Sequence, residues 1–161
     1  MGLVLLSLAV DSANAALAAE RVTEHVSPDG EMTARVMAQG GYDCEARIEF
    51  RADDRQVAVQ DYHSPDHEHG DCLGNAKWTP DGQFFVFSLI HAGGHMPWHT
   101  PILFFSRRSG RVVSLEAYVG DPVTSPEFKV LSPDVVEFDT TALPLDKHEL
   151  TMRTVSLGAL E

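Results

Sequence analysis

Basic side chains are scarce: 12 Lys and Arg stand against 24 Asp and Glu, a formal charge of −12 with neutral histidines. A chain of that sign repels phosphate backbones, so no nucleic acid is expected as a partner, and anionic membrane surfaces are disfavoured for the same reason. Long apolar runs are also missing. Leu3–Val10 (LVLLSLAV) falls well short of the ~20 residues that a spanning helix needs, and nothing else approaches that length. No transmembrane segment is therefore expected in the mature chain. Sustained helical periodicity is absent, and so are the His-Glu-x-x-His and Gly-x-Ser-x-Gly signatures of zinc hydrolases and serine hydrolases. Cysteine is reduced to Cys44 and Cys72.

What is present reads as one globular domain. The 161 residues leave room for a real core, and 43% hydrophobic against 22% charged residues is a folded rather than a disordered composition. The N-terminus carries an export pattern: the short apolar run ends in Ala13-Asn14-Ala15, a small-x-small cleavage site. The pattern lacks a basic start, since Arg21 is the first cation, which a wrongly chosen start codon explains. A signal peptide over 1–15 and a single domain over 16–161 are expected, with the mature protein periplasmic or secreted. Cleavage removes only Asp11 among charged groups, and the charge moves from −12 to −11. In an exported chain two cysteines favour one disulfide, Cys44–Cys72, over two buried thiols. Closing that loop stabilises by about 3–4 kcal/mol in the chain-entropy account.

The strongest pattern is a repeat. Ser27-Pro28-Asp29-Gly30 recurs as Thr79-Pro80-Asp81-Gly82, offset 52, and as Ser132-Pro133-Asp134, offset a further 53. Such periods belong to propeller blades and related arrays. The tetrapeptide is turn chemistry: Pro presets φ, Asp tolerates the next position, and Gly relieves the exit. Strands are expected around it at 31–38, 45–51 and 56–62, then at 75–78, 83–90, 101–106 and 111–118, and finally at 128–131 and 135–140, after which the pattern is lost. β-Branched and aromatic residues dominate these runs. The fold class is all-β, an antiparallel meander of blade-like repeats.

Trp78-Thr79-Pro80-Asp81-Gly82 followed by Phe84-Phe85-Val86-Phe87 resembles the repeat of TolB-type, WD40-like β-propellers, over roughly residues 22–140. The resemblance implies a periplasmic or surface-associated binding scaffold. About two and a half repeats are present, where a closed propeller needs about four or more blades. A partial propeller, a compact two-sheet sandwich, or a ring completed by self-association all fit that number.

In a meander, alternate connections share one end of the sheet. The Ser/Thr-Pro-Asp-Gly turns and the 107–110 turn fall at one end. The longer connections 39–44, 63–74, 91–100 and 120–126 fall at the other, where binding residues concentrate. Six of the eight histidines lie in two of these loops. Imidazoles suit zinc or copper. His67, His69, His95 and His99 are the first ligand candidates, and Met96 beside His95 tilts the choice toward copper. Glu68 is a candidate general base beside such a metal, and Asp66, Glu68 and Asp71 could supply an acid/base pair. Trp98, with His63 and His91, is the candidate contact for a protein or sugar partner. No catalytic residue is assigned. The expected function is an exported, non-enzymatic binding module, with a metal-binding protein or metal-dependent hydrolase as the alternative.

Overall fold

A computed structural model describes residues 21–38, 44–66, 69–91, 99–141 and 150–161. The expected signal peptide over 1–15 lies outside them. Among the described residues, eleven strands build three antiparallel sheets, each in simple meander order. The first sheet is β1 (Arg21–Val26), β2 (Met32–Ala38), β3 (Ala46–Ala52) and β4 (Arg55–Asp61). The second is β5 (Asp71–Trp78), β6 (Phe84–His91), β7 (Ile102–Ser106) and β8 (Val112–Ser114). A short helix, α1 (Glu116–Val119), leads to the third: β9 (Val123–Leu131), β10 (Val135–Thr141) and β11 (Leu150–Ser156). The 52-residue period is thus one sheet, and none of the three closes into a barrel.

The repeated tetrapeptide does the same work twice. Ser27 Oγ donates to Asp29 Oδ1 at 2.5 Å and accepts the Met32 N–H at 3.0 Å. Thr79 Oγ1 donates to Asp81 Oδ1 at 2.6 Å and accepts the Phe84 N–H at 3.0 Å. Each hydroxyl therefore spans its own turn, and Gly30 and Gly82 take the positive φ values, 76° and 69°, that the exit requires. The third copy departs from this pattern. Val135 replaces the glycine, Ser132–Pro133 is cis, and Asp134 Oδ2 accepts from Ser156 Oγ and Gly158 N instead.

Packing explains why β6 reads as an unbroken apolar run. The second sheet is the middle of three layers, so β6 is buried on both faces. Phe85, Phe87 and Leu89 face the first sheet, meeting Met32, Ala34, Val36, Ile48 and Phe50. Phe84 and Val86 face the third, meeting Val123, Val136, Phe138 and Leu157. The outer sheets have one buried face each, and β2 and β3 accordingly alternate. Between the sheets, β1 and β3 come to β5, and β9 comes to β5 and β6. Trp78 lies in this core, and its Nε1–H donates to the His25 carbonyl across the first two sheets at 2.8 Å.

Three expectations need correction. The strand expected over 111–118 is strand only over Val112–Ser114. Leu115 then turns fully into the core, and α1 ends on Gly120 at φ 76°. The strands expected from 75 and from 128 start earlier, at Asp71 and Val123. The pattern also continues past 140: β11 pairs with β10 along its whole length. Its exposed face mixes Leu150 and Met152 with Thr154 and Ser156, and its other face carries Thr151 and Arg153 beside Val155, which packs on the core, so it does not read as a core strand.

Candidate functional site

The two ends of the sheets differ in kind. At the turn end, Arg107 donates to Asp29 (2.5 Å), Glu31 (2.8 Å) and the Gly82 carbonyl (3.1 Å), latching the first two repeated turns together. Hydrogen bonds from Ser27 and Arg107 hold the Asp29 carboxyl well below the ordinary carboxylate range. This end is structural. The strand ends that flank the longer connections lie at the opposite end, as the alternation of strands requires.

That end is organised around a buried carboxylate, Glu45, which is only 1% exposed. It accepts from Ser64 Oγ at 2.6 Å, Ser64 N at 3.1 Å and Gly70 N at 2.6 Å. Burial pushes the Glu45 carboxyl up, but these hydrogen bonds and the nearby His63 outweigh it, and the group ionises below its ordinary value. Ser64 and Gly70 are thus held on one anion. Gly70 is required there, because a Cβ would come within 2.6 Å of Glu45 Oε1 and closer still to the Tyr62 carbonyl oxygen. The Cys44–Cys72 disulfide, Cα–Cα 5.0 Å, sits beside it and joins the first sheet to the second.

Each described histidine of this end lies against a carboxylate. His63 Nδ1 is 2.5 Å from Asp61, His69 Nδ1 is 2.7 Å from Asp66, and His91 Nδ1 is 3.1 Å from Asp71. His99 Nε2 is 2.9 Å from Glu116. An ionised carboxylate only accepts, so each pairing fixes which ring nitrogen carries its proton. Hydrogen bonding from His63 lowers the Asp61 carboxyl below its usual value. The correction at α1 has its consequence here: the helical turn delivers Glu116 to both His99 and the Val123 N–H (2.6 Å). Tyr62 OH is buried without a hydrogen-bond partner among the described residues, and burial pushes its pKa up, against ionisation.

Of the sequence candidates, His63, His69, His91 and His99 are described. His67, His95, Glu68, Met96 and Trp98 lie outside the described residues. Among the described residues no three His, Cys, Asp or Glu side chains gather as a metal site. No described helix is long and apolar enough to cross a membrane. Sequence reasoning passed over Glu45 and Glu116. A single Glu at a strand start carries no signal, although its neighbour Cys44 marked the region.

The ionisation of Glu45 has a measurable consequence. A carboxyl whose folded-state pKa is lowered contributes stability above its unfolded pKa and loses it as pH falls through the folded value. Wild type should exceed Glu45→Gln by about 2 kcal/mol at pH 7, since the amide presents N–H to at least one of three donors. The gap should narrow below about pH 4.5, the ordinary glutamate range. Urea unfolding of both proteins at pH 7 and pH 3.5 measures it. A gap independent of pH would show that the charge is not the stabilising element.

No family model matches the chain, and no curated protein sequence matches it.

Proposed function

We propose that this chain is an exported, non-enzymatic binding module that presents its histidine-loop end to a protein partner. One observation carries the reading: the four described histidines there are each held against a carboxylate, and the disulfide and the buried Glu45 anchor the chain beside His63 and His69. Side chains already held in place lose little entropy on association, which is what a recognition surface needs. The disulfide accords with export, and the acidic charge disfavours nucleic acid as the partner. The TolB-like turn repeat points the same way, toward a scaffold rather than an enzyme. Immobilised oxidised protein is expected to capture a defined partner from an extract of exported proteins. Capture should fall with His63→Ala/His99→Ala and persist with Arg108→Ala, an exposed residue of the opposite end. Equal capture by all three proteins would sink the assignment of the binding face.

A second reading has its own support. A carboxylate on one ring nitrogen is the arrangement that orients histidine for a metal on the other, and His69 with Asp66 and His99 with Glu116 have it. His67, His69, His95 and His99 would then hold zinc or copper. Metal near one equivalent at pH 7.5, released at pH 5.5, favours this reading; none above background favours the first.

A further inference from the structure

β1 is an edge strand that meets the second sheet through one residue. Its inward side carries Arg21, Thr23 and His25, and of its six residues only His25 is partly buried. The imidazole lies 5.4 Å from the Phe85 ring of β6, tilted by 59°. The carbonyl of the same residue accepts the Trp78 Nε1–H of β5 at 2.8 Å. Ring and backbone thus hold the strand at a single point, and its remaining support is the ladder with β2.

No charge faces that imidazole among the described residues. The core cluster it borders is apolar throughout, including Ala34 of β2 directly opposite it and Trp78 and Phe85 above. Lys77 of β5 is exposed and points to the other face from Trp78, and Asp71 lies at the far end of β5, against His91. Glu24 and Arg35 pair with each other on the outer face of the first sheet. Arg21 shares the inward side but lies four residues along the strand. Arg107, Asp29 and Glu31 bond one another at the turn beyond. Burial accordingly pushes the pKa of His25 below the ordinary histidine value, with no charged neighbour to offset it.

We infer that β1 is a proton-sensitive strap: protonation of His25 favours an open state in which the strand leaves the second sheet and bares the edge of β2. A freed histidine binds its proton at about the ordinary value of 6.5, and the docked ring binds it less readily. Docking is therefore at full strength above about pH 6.5 and weakens as the pH falls through that value toward the pKa of the docked ring. The gain in opening has a ceiling of about thirtyfold at pH 5, reached if the docked ring takes no proton at all. What opening delivers is a row of unpaired N–H and C=O groups on β2, a template for another strand. The inference is independent of the histidine-loop reading, because His25 lies beside the turn end.

The two sides of β2 supply the measurement and its reference. Ser27 N donates to the Met32 carbonyl, so Ala34 and Val36 bond toward β1, and Arg35 and Met37 toward β3. Hydrogen exchange of the mature, oxidised protein is compared at pH 7.5 and pH 5.0, corrected for the chemical exchange rate at each pH. Opening at Ala34 and Val36, relative to Arg35 and Met37, is expected to rise at least about threefold at the lower pH. The His25 ring protons should titrate below the ordinary value. In His25→Gln and His25→Phe, neither of which takes up a proton, the rise should vanish whatever their absolute stability. Protection that changes equally on both sides of β2 overturns the inference. So does a His25 ring that titrates at or above the ordinary value, as attraction of the imidazolium to the Phe85 face would give, and so does a rise that persists in either variant.

Discussion

Phe50→Ala is expected to destabilise the protein by about 4 kcal/mol, a large fraction of the total for a domain of this size. Phe50 is completely buried on β3 and stacks on Phe105 of β7 at 3.8 Å between centroids, nearly parallel at 10°. It also meets Phe85 of β6 edge-on at 5.8 Å and 73°. The truncation therefore removes the ring that joins the first sheet to the second at the centre of their shared core. The cavity would lie between two sheets whose strands are held by their own ladders, so collapse around it is limited. Urea unfolding should show a lower midpoint with an unchanged slope if the three layers still unfold together. Phe104→Ala is the matched control. Phe104 faces the opposite way, edge-on to Phe84 at 5.7 Å in the core shared with the third sheet. The two costs should be similar and, in the double variant, close to additive, because the rings share no core cluster. A loss below about 1.5 kcal/mol for Phe50→Ala would mean that this core is not what couples the layers.

The meander was legible because its turns are encoded locally. Ser/Thr-Pro-Asp-Gly holds its own hydroxyl, carboxylate and positive-φ glycine, and the structure uses all of them in the first two copies. The weaker third copy lacks the glycine, and there the turn chemistry changes. What was not legible depends on neighbours distant in sequence. Glu45 is an ordinary acidic residue until Ser64 and Gly70 fold over it from 19 and 25 residues away. The 111–118 run alternates well enough to pass as strand, but Leu115 has a core site to fill and Glu116 has His99 and the Val123 N–H to meet. β11 was hidden because both of its faces mix apolar and polar residues, with Val155 alone of its apolar residues packed on the core.

Both kinds of information meet at the disulfide. Its pairing followed from there being only two cysteines, and the structure shows it as formed. Its place, beside Glu45 and across the first two sheets, came only from the fold. Reduction, or Cys44→Ala/Cys72→Ala, is expected to cost about 3.5 kcal/mol, the loop-closure entropy for cysteines 28 residues apart. That part acts on the unfolded chain and predicts a lower unfolding midpoint with native contacts intact. A second effect acts on the folded state. The isolated pairing of Glu45 with Cys72, and the Ser64 and Gly70 hydrogen bonds built on Glu45, lie next to the bridge. Hydrogen exchange should therefore quicken at Ser64, His69 and Gly70 in the reduced protein. Met32 and Phe84, whose amides are held by the turn hydroxyls at the far end, should keep their protection relative to the global limit. Exchange that rises equally at both ends would assign the bridge to the unfolded state alone. A reduced protein as stable as the oxidised one would remove it from the stability of the fold, leaving Glu45 and the Phe50–Phe105 stack to join the first two sheets.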